Sequence, residues 1–199
     1  MGEHITSGSS KWDDGRDFNG CSSMPESIQN LLRDRPPRAP FEGFGGLRMR
    51  TYRAQLTGVD REPARIFDTW MDHFPATWPA GNHFIPCAPG LEPGVTAAIL
   101  LSMPGGMRVV TSARVVHRGA TSLTLQTLLG HMFAGLITFR VSQQESDPVL
   151  QGQALVSPGD PLYELVFRLG IGQRGEDEFW HAALFNAASL FEVTVVVLQ

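Results

Sequence analysis

Two side chains could take part in proton chemistry, one by exchanging a proton and the other by its charge. His131 follows Gly130 in a predicted turn between two strands, and an imidazole changes its charge near neutral pH. Arg114 lies within a predicted strand and brings a permanent positive charge. These two residues are the candidate catalytic residues of the chain. The alternative for His131 is a turn histidine that faces water or a backbone carbonyl.

Metal and cofactor motifs are incomplete in this sequence. Glu178 and His181 have the spacing of a carboxylate–imidazole metal pair on a helix, but a di-metal site needs a second such pair. His83 and Cys87 lack the second pair that a zinc site requires. No serine lies in a Gly-x-Ser-x-Gly motif, and no glycine-rich phosphate fingerprint is present. We therefore expect no metal and no cofactor.

The larger candidate surface is the inner face of a predicted sheet. Its alternating positions carry small, hydroxyl and apolar side chains, which could leave room for a ligand, although ordinary core packing is the alternative. Aromatic side chains on two helical stripes could line the mouth of the same pocket. The candidate ligand-binding residues are Trp70, Phe74, Thr111, Ala113, Leu125, Thr127, Gly135, Ile137, Trp180 and Leu184.

Composition restricts the class of partner. The chain has 199 residues, 42% of them hydrophobic, which suits one globular domain with an appendage. The net charge is −4, and Lys11 is the only lysine beside fifteen arginines. Acidic residues interrupt the densest arginine stretch, so we expect no nucleic-acid partner.

Cysteine content and hydropathy suggest a location. Cys21 and Cys87 are too few and too far apart in sequence for a disulfide framework. This predicts reduced cysteines and a cytoplasmic protein. There is no N-terminal apolar segment typical of a secretory signal, so we expect no such signal. There is no run of about 18 consecutive apolar residues, so we expect no transmembrane segment.

The first 46 residues differ from the rest. Residues 1–23 are rich in Gly, Ser and Asp, and we expect a disordered tail. Residues 25–34 could form a short helix, because Ile28, Leu31 and Leu32 fall on one face. Prolines then predict a stiff linker. The expected organisation is an extension over 1–46 and a domain over 47–199.

Periodicity in the domain switches between helix and strand. A strand at 47–57 and a helix at 60–74 come first, and Glu176 opens the strongest amphipathic stripe, over 176–191. Short turns between the middle strands predict antiparallel neighbours, so the fold class is α+β with helices against one sheet. The remaining predictions are strands at 95–103, 107–117, 122–129, 133–142 and 149–156, a helix at 160–169 and a strand-like or flexible end at 193–198.

This order resembles the helix-grip superfamily, also called START-like, birch-allergen-like or polyketide-cyclase-like, in which a curved antiparallel sheet wraps around a long C-terminal helix. The piece Gly130-His131-Met132-Phe133-Ala134-Gly135-Leu136-Ile137-Thr138-Phe139 resembles a strand entry of an uncharacterised bacterial and plant family in it. The pieces Asp160-Pro161-Leu162-Tyr163 and Glu178-Phe179-Trp180 resemble that family's tail. The likeness covers about 47–191 and implies a cavity for a hydrophobic ligand, without carrying over a catalytic residue.

Three functions remain open at this point. The leading one is binding of an apolar small molecule or lipid between the sheet and the C-terminal helix. The second is an enzyme of the aromatase/cyclase type on the same fold, with His131 or Arg114 handling protons. The third is a non-catalytic interaction protein that recruits a partner through its proline-rich arm.

Overall fold

One antiparallel sheet carries most of the computed structural model, which describes residues 20–32, 34–103, 106–168, 171–191 and 195–198. Its strands are β1 Arg48–Leu56, β2 His83–Pro86, β3 Thr96–Ser102, β4 Arg108–Gly119, β5 Ser122–Thr127, β6 Phe133–Gln144, β7 Asp147–Pro158 and β8 Val195–Leu198. Its helices are α1 Glu26–Leu32, α2 Pro63–Asp72, α3 Pro161–Arg168 and α4 Ile171–Ala188.

The strands follow the order β2-β3-β4-β5-β6-β7-β1-β8, and all neighbours are antiparallel. The strand β1 thus returns to lie between the last long strand and the C-terminal strand. A register shift between Val115 and His117 interrupts the pairing of β4 with β5, and such bulges bend a sheet. The predicted α+β sheet wrapped around a C-terminal helix is confirmed.

Helices α2 and α4 cover the inner face of the sheet. Alternation places Ala113 and Val115 of β4 on that face, and α2 presents the buried stripe that contains Ile66 and Trp70. Pro63 opens α2 at a position where a missing N–H costs nothing. Burial of each such large apolar side chain stabilises the fold by about 1.5–3 kcal/mol.

Helix α4 begins earlier than its sequence suggests. The amphipathic stripe predicts a helix that starts at Glu176, but the helix begins at Ile171. Gly175 has nothing within 4 Å of the place where a Cβ would stand, so it lies on an open side of the helix. A glycine costs a helix only about 1 kcal/mol relative to alanine, and one continuous helix results.

The N-terminal extension packs against the outer face of the sheet. We expected a disordered tail through residue 23; residues 1–19 lie outside the described part, while Cys21–Ser23 form a 3-10 turn followed by α1. A second, smaller core joins α1 to strands β2, β3 and β4. This outer patch consists of Cys21, Met24, Ile28, Leu32, Ile85, Ala98 and Leu100, with Val110 packed against it.

The two cysteines are joined, contrary to the sequence-based expectation. Cys21 and Cys87 form a disulfide with a Cα–Cα distance of 4.5 Å across 66 residues of sequence. The prediction of reduced cysteines is therefore wrong, because separation along the chain says nothing about distance once α1 folds back on the sheet. The argument for a cytoplasmic protein loses this support, since disulfides persist mainly in oxidising compartments.

The proline-rich linker runs along the ends of several strands as a strap, which we define as residues 35–44. Arg38 N–H donates to the carbonyl of Thr127 at 2.8 Å, and Leu129 N–H donates to the carbonyl of Pro36 at 2.9 Å. Phe44 N–H donates a hydrogen bond to the carbonyl of Pro158, also at 2.8 Å. The strap is held by the sheet through its backbone, so the interaction-protein hypothesis now requires it to leave that position.

Candidate functional site

A polar cluster lies where the start of β1 meets the inner side of α4. Even-numbered residues of β1 point inward, as Tyr52 and Ala54 do in the main core. On α4, a spacing of four residues places Asp177 and His181 on the side that faces β1. We define the polar cluster as Arg48, Arg50, Tyr52, Glu176, Asp177 and His181.

Hydrogen bonds to one carboxylate oxygen organise the polar cluster. The Arg50 guanidinium and the Tyr52 hydroxyl both donate to Asp177 Oδ1, the hydroxyl at 2.8 Å. The Arg50 and Asp177 side chains remain 27% and 25% exposed. Burial raises the pKa of Tyr52 well above its usual value, so its hydroxyl stays protonated at neutral pH. The cluster therefore stands at a partly open edge rather than in a sealed core.

Glu176 is the titratable group of this cluster. Burial raises the pKa of Glu176 to about 7; Arg50 and Arg48 oppose this shift, and the nearby Asp177 adds to it. Near neutral pH the Glu176 carboxyl therefore exists in both protonation states. A carboxyl of this kind can donate a proton or accept one during a reaction.

Three polar atoms lie buried between the sheet and its inner helices without a hydrogen-bond partner among the described residues. They are His181 Nε2, Trp70 Nε1 and Thr111 Oγ1. The His181 ring also meets the Tyr52 ring edge-on, with centroids 5.6 Å apart. A buried donor or acceptor without a partner costs about 1–3 kcal/mol, which a polar group of a bound molecule or a water could recover.

Aromatic side chains occupy the space deeper between the sheet and α4. Phe139 is central, because its ring centroid lies 4.9 Å from that of Phe74, 5.7 Å from Trp180 and 5.8 Å from Trp70. Trp180 is half-buried, whereas Phe139 is buried. We define the aromatic cluster as Trp70, Phe74, Trp78, Phe84, Phe139, Phe179 and Trp180.

The predicted ligand-binding residues lie on the inner side of the fold. Ile137 and Trp180 are half-buried there, and whether any of the set binds a ligand stays a prediction. The buried members are Trp70, Phe74, Thr111, Ala113, Leu125, Thr127, Gly135 and Leu184.

Two of the small predicted residues have a structural role in the sheet. Thr127 Oγ1 accepts a hydrogen bond from Gly135 N–H at 2.9 Å. Gly135 has φ of +155°, and a Cβ there would stand 2.2 Å from the carbonyl oxygen of Leu155. The backbone of β6 therefore needs glycine at this position, apart from any room that it leaves for a ligand.

The structure places the two catalytic candidates on different elements. Arg114 lies on the face of β4 opposite to Ala113, which belongs to the inner core. His131 lies in the turn before β6, where its Nδ1 accepts a hydrogen bond from Phe133 N–H at 3.0 Å. Burial lowers the pKa of His131 to about 4, so its imidazole is neutral at pH 7. Their catalytic role stays a prediction.

Sequence reasoning missed the polar cluster. The signal was present as a period of two in Arg48, Arg50 and Tyr52 and as a spacing of four between Asp177 and His181. The spacing of a metal pair points instead to Glu178 and His181. In the structure Glu178 is exposed, and its carboxylate accepts a hydrogen bond from Arg174 Nε at 3.2 Å. Among the described residues, no group of three or more His, Cys, Asp or Glu side chains could hold a metal ion.

Two surface cavities within the described part of the chain lie elsewhere. One, of about 770 Å³, follows the exposed side of α2 around Arg65 and Asp72. The other, of about 340 Å³, lies between the strap and α3 around Phe44 and Leu165. None of the helices within the described ranges is long and apolar enough to cross a bilayer.

Comparison with solved structures defines the class of fold. The chain is similar to protein Ms6760 from Mycobacterium smegmatis, with a TM-score of 0.51 and 12% identity over 73% of this chain and 96% of that chain. It is similar to the di-domain ARO/CYC StfQ from the steffimycin biosynthetic pathway, with a TM-score of 0.53 and 12% identity over 82% of this chain and 53% of that chain. It is also similar to Ara h 8.0201, with a TM-score of 0.51 and 9% identity over 74% of this chain and 99% of that chain.

These likenesses confirm the helix-grip fold that the order of elements predicted. At identities of 9–12% they establish the fold alone. No protein-family model matches the sequence, and no curated protein does. The function must therefore be argued from the side chains of this chain.

Proposed function

We propose that the protein binds an apolar small molecule or lipid between the sheet and α4. The observation that carries this proposal is the set of buried polar atoms without a described partner, Trp70 Nε1, Thr111 Oγ1 and His181 Nε2. Buried polar groups in folded proteins nearly always have partners. A mostly apolar ligand with one or two hydrogen-bonding groups would provide them and would lie against the aromatic cluster.

Entry of such a ligand needs movement of side chains. The rings of Phe179 and Trp180 are half-buried on α4, and Trp180 lies one helical turn after Asp177, whose side chain is 25% exposed. Side chains at such an edge change rotamer more easily than Phe74 or Phe139, which are buried. We infer that the ligand enters at this edge and takes the place of one or both rings.

A titration with an apolar fluorescent dye, 1-anilinonaphthalene-8-sulfonate, tests the proposal. Trp180→Ala should change the dye affinity at least tenfold. Phe185→Ala, on the exposed side of the same helix, should leave it unchanged. The proposal fails if native mass spectrometry of the purified protein shows no bound apolar molecule and the wild-type protein takes up no dye.

A second candidate is an acid–base enzyme of the cyclase type. The observation that favours it is the Glu176 carboxyl, whose pKa of about 7 lies close to the working pH of many enzymes. In this proposal Glu176 moves protons next to a carbonyl group, while Arg50 and Tyr52 hold the carbonyl oxygen. The likeness to StfQ, an ARO/CYC protein, concerns the fold and adds a reason to test it.

Proton exchange on a simple 1,3-diketone tests this second candidate. Wild-type protein should speed deuterium exchange next to the carbonyls, and Glu176→Gln should lose about a hundredfold of that acceleration. Glu178→Gln is the matched control, because Glu178 lies exposed on the same helix. Equal rates in the two variants would remove Glu176 from any catalytic role.

The cellular location is a separate proposal. The cytoplasmic location expected from the sequence stays a prediction, and the Cys21–Cys87 disulfide instead favours an oxidising compartment. Labelling of free thiols in protein extracted without reductant would decide between them. Labelling of both cysteines would indicate reduced thiols and a cytoplasmic location. Labelling of neither would indicate the disulfide and an oxidising compartment.

A further inference from the structure

The Cys21–Cys87 disulfide joins the N-terminal segment to the outer side of the sheet. Cys87 follows directly after Pro86, the last residue of β2, and it is exposed. Cys21 is only 9% exposed, within the outer patch. The chain contains two cysteines, so no other disulfide can hold this segment in place.

The segment that the disulfide holds has few other attachments. Helix α1 has seven residues, and a helix of that length is marginal on its own. Among the described residues, the hydrogen bonds of 20–32 stay within the segment, as those of the Gln29 amide do. The Cys21 sulfur lies 3.7 Å from the carbonyl of Ile85, but a disulfide sulfur carries no hydrogen to donate.

The strap that follows is attached in a different way. Backbone hydrogen bonds from Arg38, Leu129 and Phe44 join it to the strands at 2.8–2.9 Å. Residues 20–32 are therefore fixed at one end by the strap and at the other by the disulfide. Between these points, the contacts that keep α1 on the sheet within the described ranges are the apolar ones of the outer patch.

We propose that Cys87 is a site of thiol–disulfide exchange that releases α1 from the outer face of the sheet. The thiolate of a low-molecular-weight thiol attacks the exposed Cys87 Sγ, the S–S bond breaks, and its electron pair leaves on Cys21 Sγ, which takes a proton from water. A second thiol reduces the mixed disulfide, giving the Cys87 thiol and the oxidised form of the reductant. Ile85, Ala98 and Leu100 are then uncovered, while the inner face stays closed.

Hydrogen exchange of the full chain, followed by mass spectrometry, tests this proposal. In dithiothreitol the backbone amides of 26–32 should exchange at least tenfold faster than in the oxidised protein. Amides of β6 should be unchanged, which also shows that the domain remains folded. Cys87→Ser without reductant should reproduce the reduced pattern. Unchanged protection of α1 in both cases would overturn the proposal.

A trapping experiment tests the site of attack. The oxidised protein is exposed briefly to limiting glutathione, quenched with acid and digested. The proposal expects the mixed disulfide on Cys87, and an adduct mainly on Cys21 would overturn the assignment. Free thiols in protein purified without reductant would overturn it as well, because no bond would then be present to exchange.

Discussion

On the inner face of the sheet, α2 and α4 bury a continuous core that includes Trp70, Phe139 and Leu184. On the outer face, α1 buries a small patch around Ile28, and a disulfide at Cys21 tethers the 3-10 turn that precedes α1. The inner helices are long enough to bury many side chains at once. The outer helix is short, so its position depends on a covalent link. One sheet thus carries a core held by apolar packing on one face and a short helix held partly by a disulfide on the other.

The largest effect should come from the inner face. Trp70→Ala should lower the free energy of unfolding by about 3–5 kcal/mol, because the indole is buried against Phe74 and Phe139. Urea denaturation followed by circular dichroism measures this. A loss below about 1 kcal/mol would mean that the inner core is loosely packed, which would blur the contrast between the faces.

The next effect concerns the charge at the edge of the inner face. The folded-state pKa of Glu176, about 7, lies above its ordinary value of 4.5. The folded protein therefore holds this proton more tightly than the unfolded chain does. The associated stability is fully present below pH 4.5 and is lost as the pH rises through 7, about 3 kcal/mol in all.

Urea midpoints at pH 4.5, 6 and 8 measure this dependence. The wild-type protein should lose stability relative to Glu176→Gln across that range. Glu178→Gln serves as the control and should follow the wild type, because Glu178 is exposed. Parallel curves for wild type and Glu176→Gln would show that the carboxyl is well solvated.

A smaller effect should distinguish the outer face by its redox dependence. Ile28→Ala should cost about 2 kcal/mol in the oxidised protein, because Ile28 is buried in the outer patch. After reduction α1 should already be released, so the same substitution should then cost almost nothing. Ile66→Ala, on the buried side of α2, is the matched control.

Differential scanning calorimetry with and without reductant provides the comparison. Ile66→Ala should cost the same in both states, because the inner core does not depend on the disulfide. An equal cost of Ile28→Ala in both states would mean that α1 stays docked without its covalent link, and the two faces would then not differ in this respect.

The smallest effect should be on the exposed side of α4. Phe185 is 53% exposed, and Phe185→Ala should change the free energy of unfolding by less than about 0.5 kcal/mol. Chemical denaturation gives the value. A much larger loss would indicate that this side of α4 is covered in solution, so that the helix has a second buried face.

Local patterns were sufficient to predict most of the fold. Alternation in β4 placed Thr111 and Ala113 on the inner face, and the stripe that includes Leu184 placed α4 against the sheet. These predictions need only neighbours in the sequence. They were confirmed at the level of the fold, including the antiparallel sheet around the C-terminal helix.

Contacts between distant residues were outside the reach of such patterns. Arg50 and Asp177 are 127 positions apart, and the two cysteines are 66 apart. Each pairing depends on how β1, α4 and α1 are arranged in the folded chain, which periodicity does not report. The polar cluster and the disulfide were missed for this reason. The raised pKa of Glu176 follows from the same docking, because burial is its largest cause.

The position of β1 between β7 and β8 affects the order in which the chain can fold during synthesis. Arg48 pairs with Val156, roughly a hundred residues further along, and a ribosome adding about 5–20 residues per second needs several seconds or more to produce them. Until then β1 has no neighbour, and such long-range pairing slows folding. Cys21 and Cys87 emerge much earlier, so their bond can close while the strand is still waiting for its partner.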